Sequence, residues 1–353
     1  MTALKLGSLF DGIGVFPLAA VHCGMEPVWA SEIEARPISI TKRHFPDMLH
    51  LGDITKISGA EIPPVDVITF GSPCQDLSQI GTRNGFAGKK SSLFYQAMRI
   101  IEEMRYATNG RYPAFTVWEN VAGAFSSNDR LDFAAMLRAF TGAEVSVPPR
   151  GWAHAGMVRG GRADTAWRLL DAQYWGEPAL VQRRKRVFVV ADFAGQRAGE
   201  VLFKPRTVLP FSAIGGPGRL SATQRGGVPA AQTGRQVPIV RPFSLRRMRT
   251  MAQVGDQKGF CASFGRGGEP FPTLLASVTA PFSFWYEGEE QDGFLRVLTP
   301  LECERLMGLP ENWTKYGCKN EEISDHARYR ALGNSIALPC AEYVMAGIAE
   351  VMN

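Results

Sequence analysis

Short β-branched or apolar runs recur through the first 192 residues, and most end in a glycine turn or a polar motif. Leu4-Lys5-Leu6-Gly7-Ser8-Leu9-Phe10 is the first. Pro27-Val28-Trp29-Ala30-Ser31 and Val65-Asp66-Val67-Ile68-Thr69-Phe70 follow, then Phe115-Thr116-Val117-Trp118 and Arg186-Val187-Phe188-Val189-Val190-Ala191. Helical periodicity lies between several of them. Phe16 to Cys23 reads as one helix, and Leu93, Phe94, Ala97, Met98, Ile100, Ile101 and Met104 fall on one face of another. Strands that alternate with helices bury both sheet faces. The fold expected is therefore α/β: a mainly parallel, Rossmann-like sheet.

The texture changes near Asp192. Gly215-Gly216-Pro217-Gly218, Gly226-Gly227 and Gly267-Gly268 punctuate a stretch with little helical periodicity. Regular structure returns at Thr299-Pro300-Leu301-Glu302, where a Thr cap, a first-turn Pro and an early acid mark a helix start. A last helix is expected from Pro339 to Met352. At 353 residues the chain has length for about two domains. The division read is 1–194 plus 323–353 for the sheet domain. Residues 195–322 form a second, smaller loop-rich domain and hinge.

Composition excludes several classes. Apolar residues are 45% and charged residues 21%, the balance of a globular chain rather than a disordered one. No stretch approaches the ~20 apolar residues of a membrane helix. The N-terminus lacks the features of a signal peptide, so a cytoplasmic protein without a membrane partner is expected. The six cysteines and five histidines are scattered, without a Cys-x-x-Cys pair, which argues against a disulfide framework and a metal site. Net charge is +5. From Gln196 to Arg249 the basic residues are Arg197, Lys204, Arg206, Arg219, Arg225, Arg235, Arg241, Arg246, Arg247 and Arg249, against Glu200 as the one acid. Such a bias suits a polyanion, although any single arginine serves solubility as readily.

Several motifs stand at strand ends. Asp11-Gly12-Ile13-Gly14 lets backbone approach a ligand, yet two glycines alone describe any tight strand-to-helix turn. Glu32, ending the second strand, suits a ribose diol, and Asp53 in Gly52-Asp53-Ile54 could accept from an adenine amine. Each acid alone reads equally as a surface charge or a cap. Cys74, in Gly71-Ser72-Pro73-Cys74-Gln75, follows a strand directly and is a candidate nucleophile, against the alternative of a buried structural thiol. The polar loop behind it carries Gly81, Arg83, Gly85, Gly88, Lys89 and Lys90, the composition of a closing flap. Glu119-Asn120-Val121 places an acid after another buried strand, where it is either an acid catalyst or a helix cap. Gln182-Arg183-Arg184-Lys185-Arg186 sends four cations into a buried strand.

Taken in order, these blocks resemble the cytosine carbon-5 DNA methyltransferases. Ser8-Leu9-Phe10-Asp11-Gly12-Ile13-Gly14, Pro73-Cys74-Gln75, Glu119-Asn120-Val121 and Gln182-Arg183-Arg184-Lys185-Arg186 are similar to four motifs of that family. Arg296-Val297-Leu298-Thr299-Pro300 with Glu302-Cys303 and Met307-Gly308 resembles the ninth, and Gly333-Asn334-Ser335 the tenth. The resemblance implies S-adenosylmethionine as cofactor. Phe10, Gly12 and Gly14 would line it, and Glu32 would take its ribose hydroxyls. Ile33, Asp53 and Ile54 would meet its adenine, Leu93 would pack on it, and Asn334 and Ser335 would close the pocket. Cys74 would attack carbon 6 of a flipped cytosine, with Glu119 at the ring nitrogen. Arg184 would bind near the target base, with Arg186 in support. Gln75, Ser78, Arg83, Lys90, Arg246 and Thr273 would contact double-stranded DNA, and the loop-rich domain would recognise the target. A monomeric enzyme of bacterial or phage origin, often part of a restriction-modification system, is implied.

The sequence departs from the family where Val15 replaces a glycine and Ile33 an aromatic residue. The segment Glu177-Pro178-Ala179-Leu180-Val181 is also longer than the usual link to the basic block. Three other readings remain at this point: a tRNA substrate, a silent DNA-binding protein on the same fold, and a dinucleotide-dependent oxidoreductase suggested by the two glycines alone.

Overall fold

In a computed structural model the described residues are 3–72, 93–204, 239–242, 271, 273–274, 282–286 and 293–353. Strands β1 (Lys5–Leu9), β2 (Glu26–Ser31), β3 (Leu49–His50), β4 (Val67–Phe70) and β5 (Phe115–Val121) form the parallel part of one sheet. β6 (Ala155–Arg159), β7 (Asp164–Asp171) and β8 (Lys185–Asp192) join it antiparallel, giving the order β3-β2-β1-β4-β5-β8-β7-β6. The α/β architecture is as expected. "Mainly parallel" holds for five of these eight strands, because the Gly160–Ala163 turn closes β6 and β7 into a hairpin that reverses the chain.

The order turns back on itself at β1, which has β2 on one side and β4 on the other. In such sheets the carboxyl ends at the switch open a crevice, and ligands bind there. The ends of β1, β2, β4 and β5 all reach that edge. β8, running the other way, begins there, with Arg186 opposite Val121 and Phe188 opposite Glu119.

Alternation along the strands builds two cores. Leu6, Val67, Phe115, Val117, Phe188 and Val190 face helices α1 (Val15–His22) and α8 (Leu338–Met352). Leu9, Ile68, Phe70, Trp118, Val187 and Val189 face α3 (Leu93–Ala107) and α4 (Leu131–Thr141). Each fully buried large apolar side chain contributes roughly 1.5–3 kcal/mol. α2 (Ala35–His44) follows β2.

Packing draws later segments into the first core. α5 (Ala198–Leu202) buries Ala198, Val201 and Leu202 in the first core. Leu298, Cys303, Leu306, Met307, Leu309, Trp313 and Ile323 join them there. Phe271 and Leu274 pack in the same core. α6 (Pro300–Leu306) starts on the Thr299–Glu302 capping box that its sequence announces. α7 (Asp325–Asn334) carries Asn334 at its end. Within the loop-rich part, β9 (Ile239–Pro242), β10 (Phe282–Tyr286) and β11 (Gly293–Val297) make an antiparallel sheet. Among the described residues no single helix is long and apolar enough to cross a membrane.

Candidate active site

The turn after β1 bends through left-handed backbone at Phe10 (φ 54°), Gly12 (φ 59°) and Gly14 (φ 79°). Glycine takes this region without penalty, whereas Phe10 is strained there. Gly12 N–H donates to Glu32 Oε2 at 2.9 Å. Ile33 N–H and Glu34 N–H donate to Glu32 Oε1 at 2.7 and 2.9 Å. Three backbone donors thus fix the acid that the sequence assigns to a ribose. A Cβ at Gly12 would meet no atom within 4 Å, so space is open over the turn. Beside it Ile33 is 73% exposed, an apolar side chain left uncovered at the sheet edge.

Asp53 caps the short turn Ile54–Lys56, its Oδ1 accepting from Thr55 N at 2.9 Å and Thr55 Oγ1 at 2.8 Å. Those bonds hold its carboxyl below the usual range. Ile54 is buried in the second core. Leu93 opens α3 half-buried, Asn334 is exposed, and Ser335 is half-buried. Arg330 Nη2 lies 2.7 Å from Glu34 Oε1, which ties α7 beside the Glu32 turn.

Two side chains at this turn escaped sequence reasoning. Trp313 Nε1 donates to Ile13 O at 2.8 Å, and its ring stacks on His44 with centroids 3.5 Å apart. The tryptophan arrives from beyond the loop-rich segment, and nothing in its local sequence announces the contact. Asp11 is the second. Both its carboxyl oxygens are buried without a hydrogen-bond partner among the described residues. Burial, opposed by Ser8 and reinforced by Glu32, pushes it up to about 7.

The second half of the site lies one strand over. Ser72, just past β4, is buried. Its Oγ accepts from Trp118 Nε1 at 3.1 Å and its carbonyl from Asn120 Nδ2 at 3.1 Å, which knits the ends of β4 and β5. A Cβ at Gly71 would stand 3.1 Å from Glu119 Oε2, so the Glu119 carboxyl lies against the start of the Gly71-Ser72-Pro73-Cys74 segment. Arg186 Nε stands 2.9 Å from Glu119 Oε1, an ion pair without hydrogen-bond alignment. Burial pushes the Glu119 carboxyl above its ordinary range, against the pull of Arg186 and Arg184. Cys74, Gln75, Ser78, Arg83, Lys90 and Arg246 lie outside the described residues.

The two arginines take different partners. Arg186, not Arg184, meets the carboxyl group. Arg184 is 1% exposed, and its guanidinium donates to the carbonyls of Leu274 (2.9 Å), Gly333 (2.8 Å) and Ser335. The alternation of a strand start explains the burial, since residues 182, 184 and 186 share one side. Thr273, expected at DNA, donates its hydroxyl to Arg183 O at 2.6 Å.

Acid, glycine turn and buried ion pair thus share one sheet edge. A family model described as C-5 cytosine-specific DNA methylase matches residues 4–204 and 242–350. The chain belongs to that family. The DNA methylases it resembles include M.HhaI of Haemophilus parahaemolyticus, a Type II methyltransferase 23% identical over 367 residues. That match covers 100% of this chain and 96% of the relative. Type II methyltransferase M1.ScrFI of Lactococcus lactis subsp. cremoris is 27% identical over 357 residues, covering 99% of this chain and 78% of the relative. A protein of Escherichia phage P1 named DNA N-6-adenine-methyltransferase is 24% identical over 463 residues. There the match takes in 98% of this chain, which spans only 61% of the phage protein. Among solved structures, S. pombe Dnmt2 methyltransferase superposes with a TM-score of 0.62 at 16% identity, covering 99% of both chains. That similarity is one of fold.

The cofactor of a C-5 DNA methylase is S-adenosylmethionine, and the site fits it. Glu32 is preset to accept two hydroxyls, the Gly12 turn is open, and Ile33 offers an uncovered apolar surface of the kind a purine ring covers.

Proposed function

We propose that this methylase acts on a cytosine flipped out of a specific duplex DNA sequence, through a covalent adduct with Cys74. The observation that carries the reading is the Glu119–Arg186 pair set against Gly71, at the start of the segment that bears Cys74. Cytosine carbon 5 is a poor nucleophile. Cys74 would add as thiolate to carbon 6, sending the ring double-bond electrons toward carbon 5 and the ring nitrogen. Glu119, whose burial raises its proton affinity, would donate a proton to that nitrogen and neutralise the charge. Arg186 would hold the Glu119 carboxyl in place. Bound S-adenosylmethionine supplies an electrophilic methyl to carbon 5. Loss of the carbon 5 proton to water, departure of the Cys74 sulfur as thiolate and return of the ring-nitrogen proton to Glu119 would then restore the aromatic ring. A base inside a duplex cannot reach these groups, so flipping is required.

The cofactor residues proposed are Phe10, Gly12, Gly14, Glu32, Ile33, Asp53, Ile54, Leu93, Asn334 and Ser335. The loop-rich segment, with its arginines, would read the target. The protein is proposed to work as a monomer in a bacterial or phage-infected cytoplasm.

The test is methylation of duplex DNA with tritiated methyl donor, followed by nucleoside analysis and bisulfite sequencing. Label in 5-methylcytosine at one recurring sequence is expected. Label in N6-methyladenine, the activity named for the phage P1 relative, would overturn the reading, as would labelling of tRNA in preference to DNA. Cys74→Ser should abolish transfer and leave DNA binding largely intact. Full activity in that variant would remove the nucleophile assignment.

A further inference from the structure

One buried guanidinium touches both functional halves of the molecule. Arg184 is anchored through its own backbone: its N–H donates to Asp171 Oδ1 at 3.0 Å, and its carbonyl accepts from Ala172 N–H at 3.0 Å. From that fixed point Nη1 reaches Leu274 O, while Nη2 reaches Gly333 O and Ser335 O. Leu274 ends a short segment strung along residues 181–184. Phe271 N–H donates to Val181 O at 2.6 Å, Arg183 N–H to Phe271 O at 2.7 Å, and Thr273 Oγ1 to Arg183 O at 2.6 Å. Thr273 is the residue of that segment proposed for DNA, and Phe271 and Leu274 anchor it in the first core. Gly333 and Ser335 flank Asn334 on the cofactor side.

We propose that Arg184 is a positioning residue that couples cofactor binding to DNA binding, by seating residues 271–274 and 333–335 together. The proposal rests on the assignment of those two segments to DNA and cofactor.

The physical argument concerns an unpaired buried charge. At 1% exposure the guanidinium has no water to replace a lost acceptor. If residues 333–335 lifted, one nitrogen would lose both its acceptors at once. Its remaining tie would be Leu274, beside Arg186 and Glu119. Nε has no partner among the described residues, so none of them compensates on the other edge. Leaving a buried charge half-satisfied is costly, which disfavours states with one segment seated and the other released. A ligand that seats one segment therefore favours the other, and the effect must be reciprocal.

The experiment is a thermodynamic cycle with S-adenosylhomocysteine and a duplex carrying the methylated sequence. In the wild type, S-adenosylhomocysteine should tighten DNA binding on the order of ten-fold, and DNA should tighten S-adenosylhomocysteine binding by the same factor. In Arg184→Lys, which keeps the charge and loses the fork, the factor should fall to about two-fold or less. A merely structural residue would weaken each ligand and leave the factor unchanged, so an unchanged factor overturns the proposal. A wild-type factor of one, with both ligands bound, overturns it too and leaves the methylase reading standing. Failure to bind either ligand would instead remove that reading. Should the variant not fold, hydrogen exchange on the wild type decides. S-adenosylhomocysteine alone should slow exchange in a peptide spanning 271–274, and unchanged exchange there counts against the coupling.

Discussion

Asp11 stands at the mouth of the glycine turn, its buried carboxyl oxygens without a well-aligned partner among the described residues, and its proton is correspondingly hard to remove. Its carboxyl moves from an ordinary 3.8 to about 7 on folding. The folded state therefore holds this proton more tightly than the unfolded chain. Its contribution to stability is fully present below pH 4 and is lost as pH rises through 7. Asp11→Asn removes the ionisation and keeps the shape. It should stabilise the protein at pH 8 by on the order of 2–4 kcal/mol in urea unfolding, and by little at pH 4.5. Equal stabilities at pH 8 would mean that Asp11 finds a donor. Glu119, as the proposed acid, would use the same physics for chemistry. Glu119→Gln should lower kcat by about 10²–10⁴-fold, the usual worth of a positioned acid, with S-adenosylhomocysteine affinity unchanged. Activity should fall as pH rises past the elevated Glu119 value, since the acid must carry its proton to donate it. At this scale the sequence named Glu32, Glu119 and the glycines, because each follows a strand end. It did not foresee that Arg184 would bond the carbonyls of Leu274, Gly333 and Ser335, since spacing tells which residues share a face but not which carbonyls wait on it.

Elements whose own residues carry the signal were legible. β1, β4, β5 and β8 are β-branched or apolar runs, and α6 has its capping box in four consecutive residues. α2 was not, because its ten residues bury only Pro37, Ile40 and Thr41. β6 was not, because it is an edge strand with alternate residues exposed. Long-range docking was invisible altogether, and Trp313 shows the consequence. It joins the loop after α6 to the β1 turn and to α2 by one hydrogen bond and one ring stack. Trp313→Ala removes both, worth about 1–2 kcal/mol together at a buried site. It should weaken S-adenosylhomocysteine binding about ten-fold in calorimetry, because the Gly12 turn loses its backing. Trp313→Phe, which keeps a ring against His44, should recover part of that loss. An unaltered affinity in Trp313→Ala would show that the turn holds its shape unaided.

Charge is the property that belongs to the whole molecule. The net +5 is unevenly spread: ten basic residues against one acid lie between Gln196 and Arg249. Arg197 and Lys204 are already paired, with Asp192 and Glu350, so the eight from Arg206 onward are the ones proposed for phosphates. Each phosphate neutralised releases condensed counterions. The logarithm of the DNA binding constant should therefore fall with log salt at about 0.9 per contact. If half of those eight cations engage, the slope is roughly −3.6, or about a 150-fold loss of affinity between 50 and 200 mM salt. Cofactor binding offers an internal control, since its acid and glycine turn involve no phosphate. S-adenosylhomocysteine affinity should change little over the same range. Replacing Arg219, Arg225 and Arg235 by Gln should reduce the slope by up to three, about one for each contact removed, without shifting the thermal unfolding of the sheet domain. A slope near zero in the wild type would place DNA on another face. A slope unchanged in the triple variant would confine the contacts to the remaining arginines.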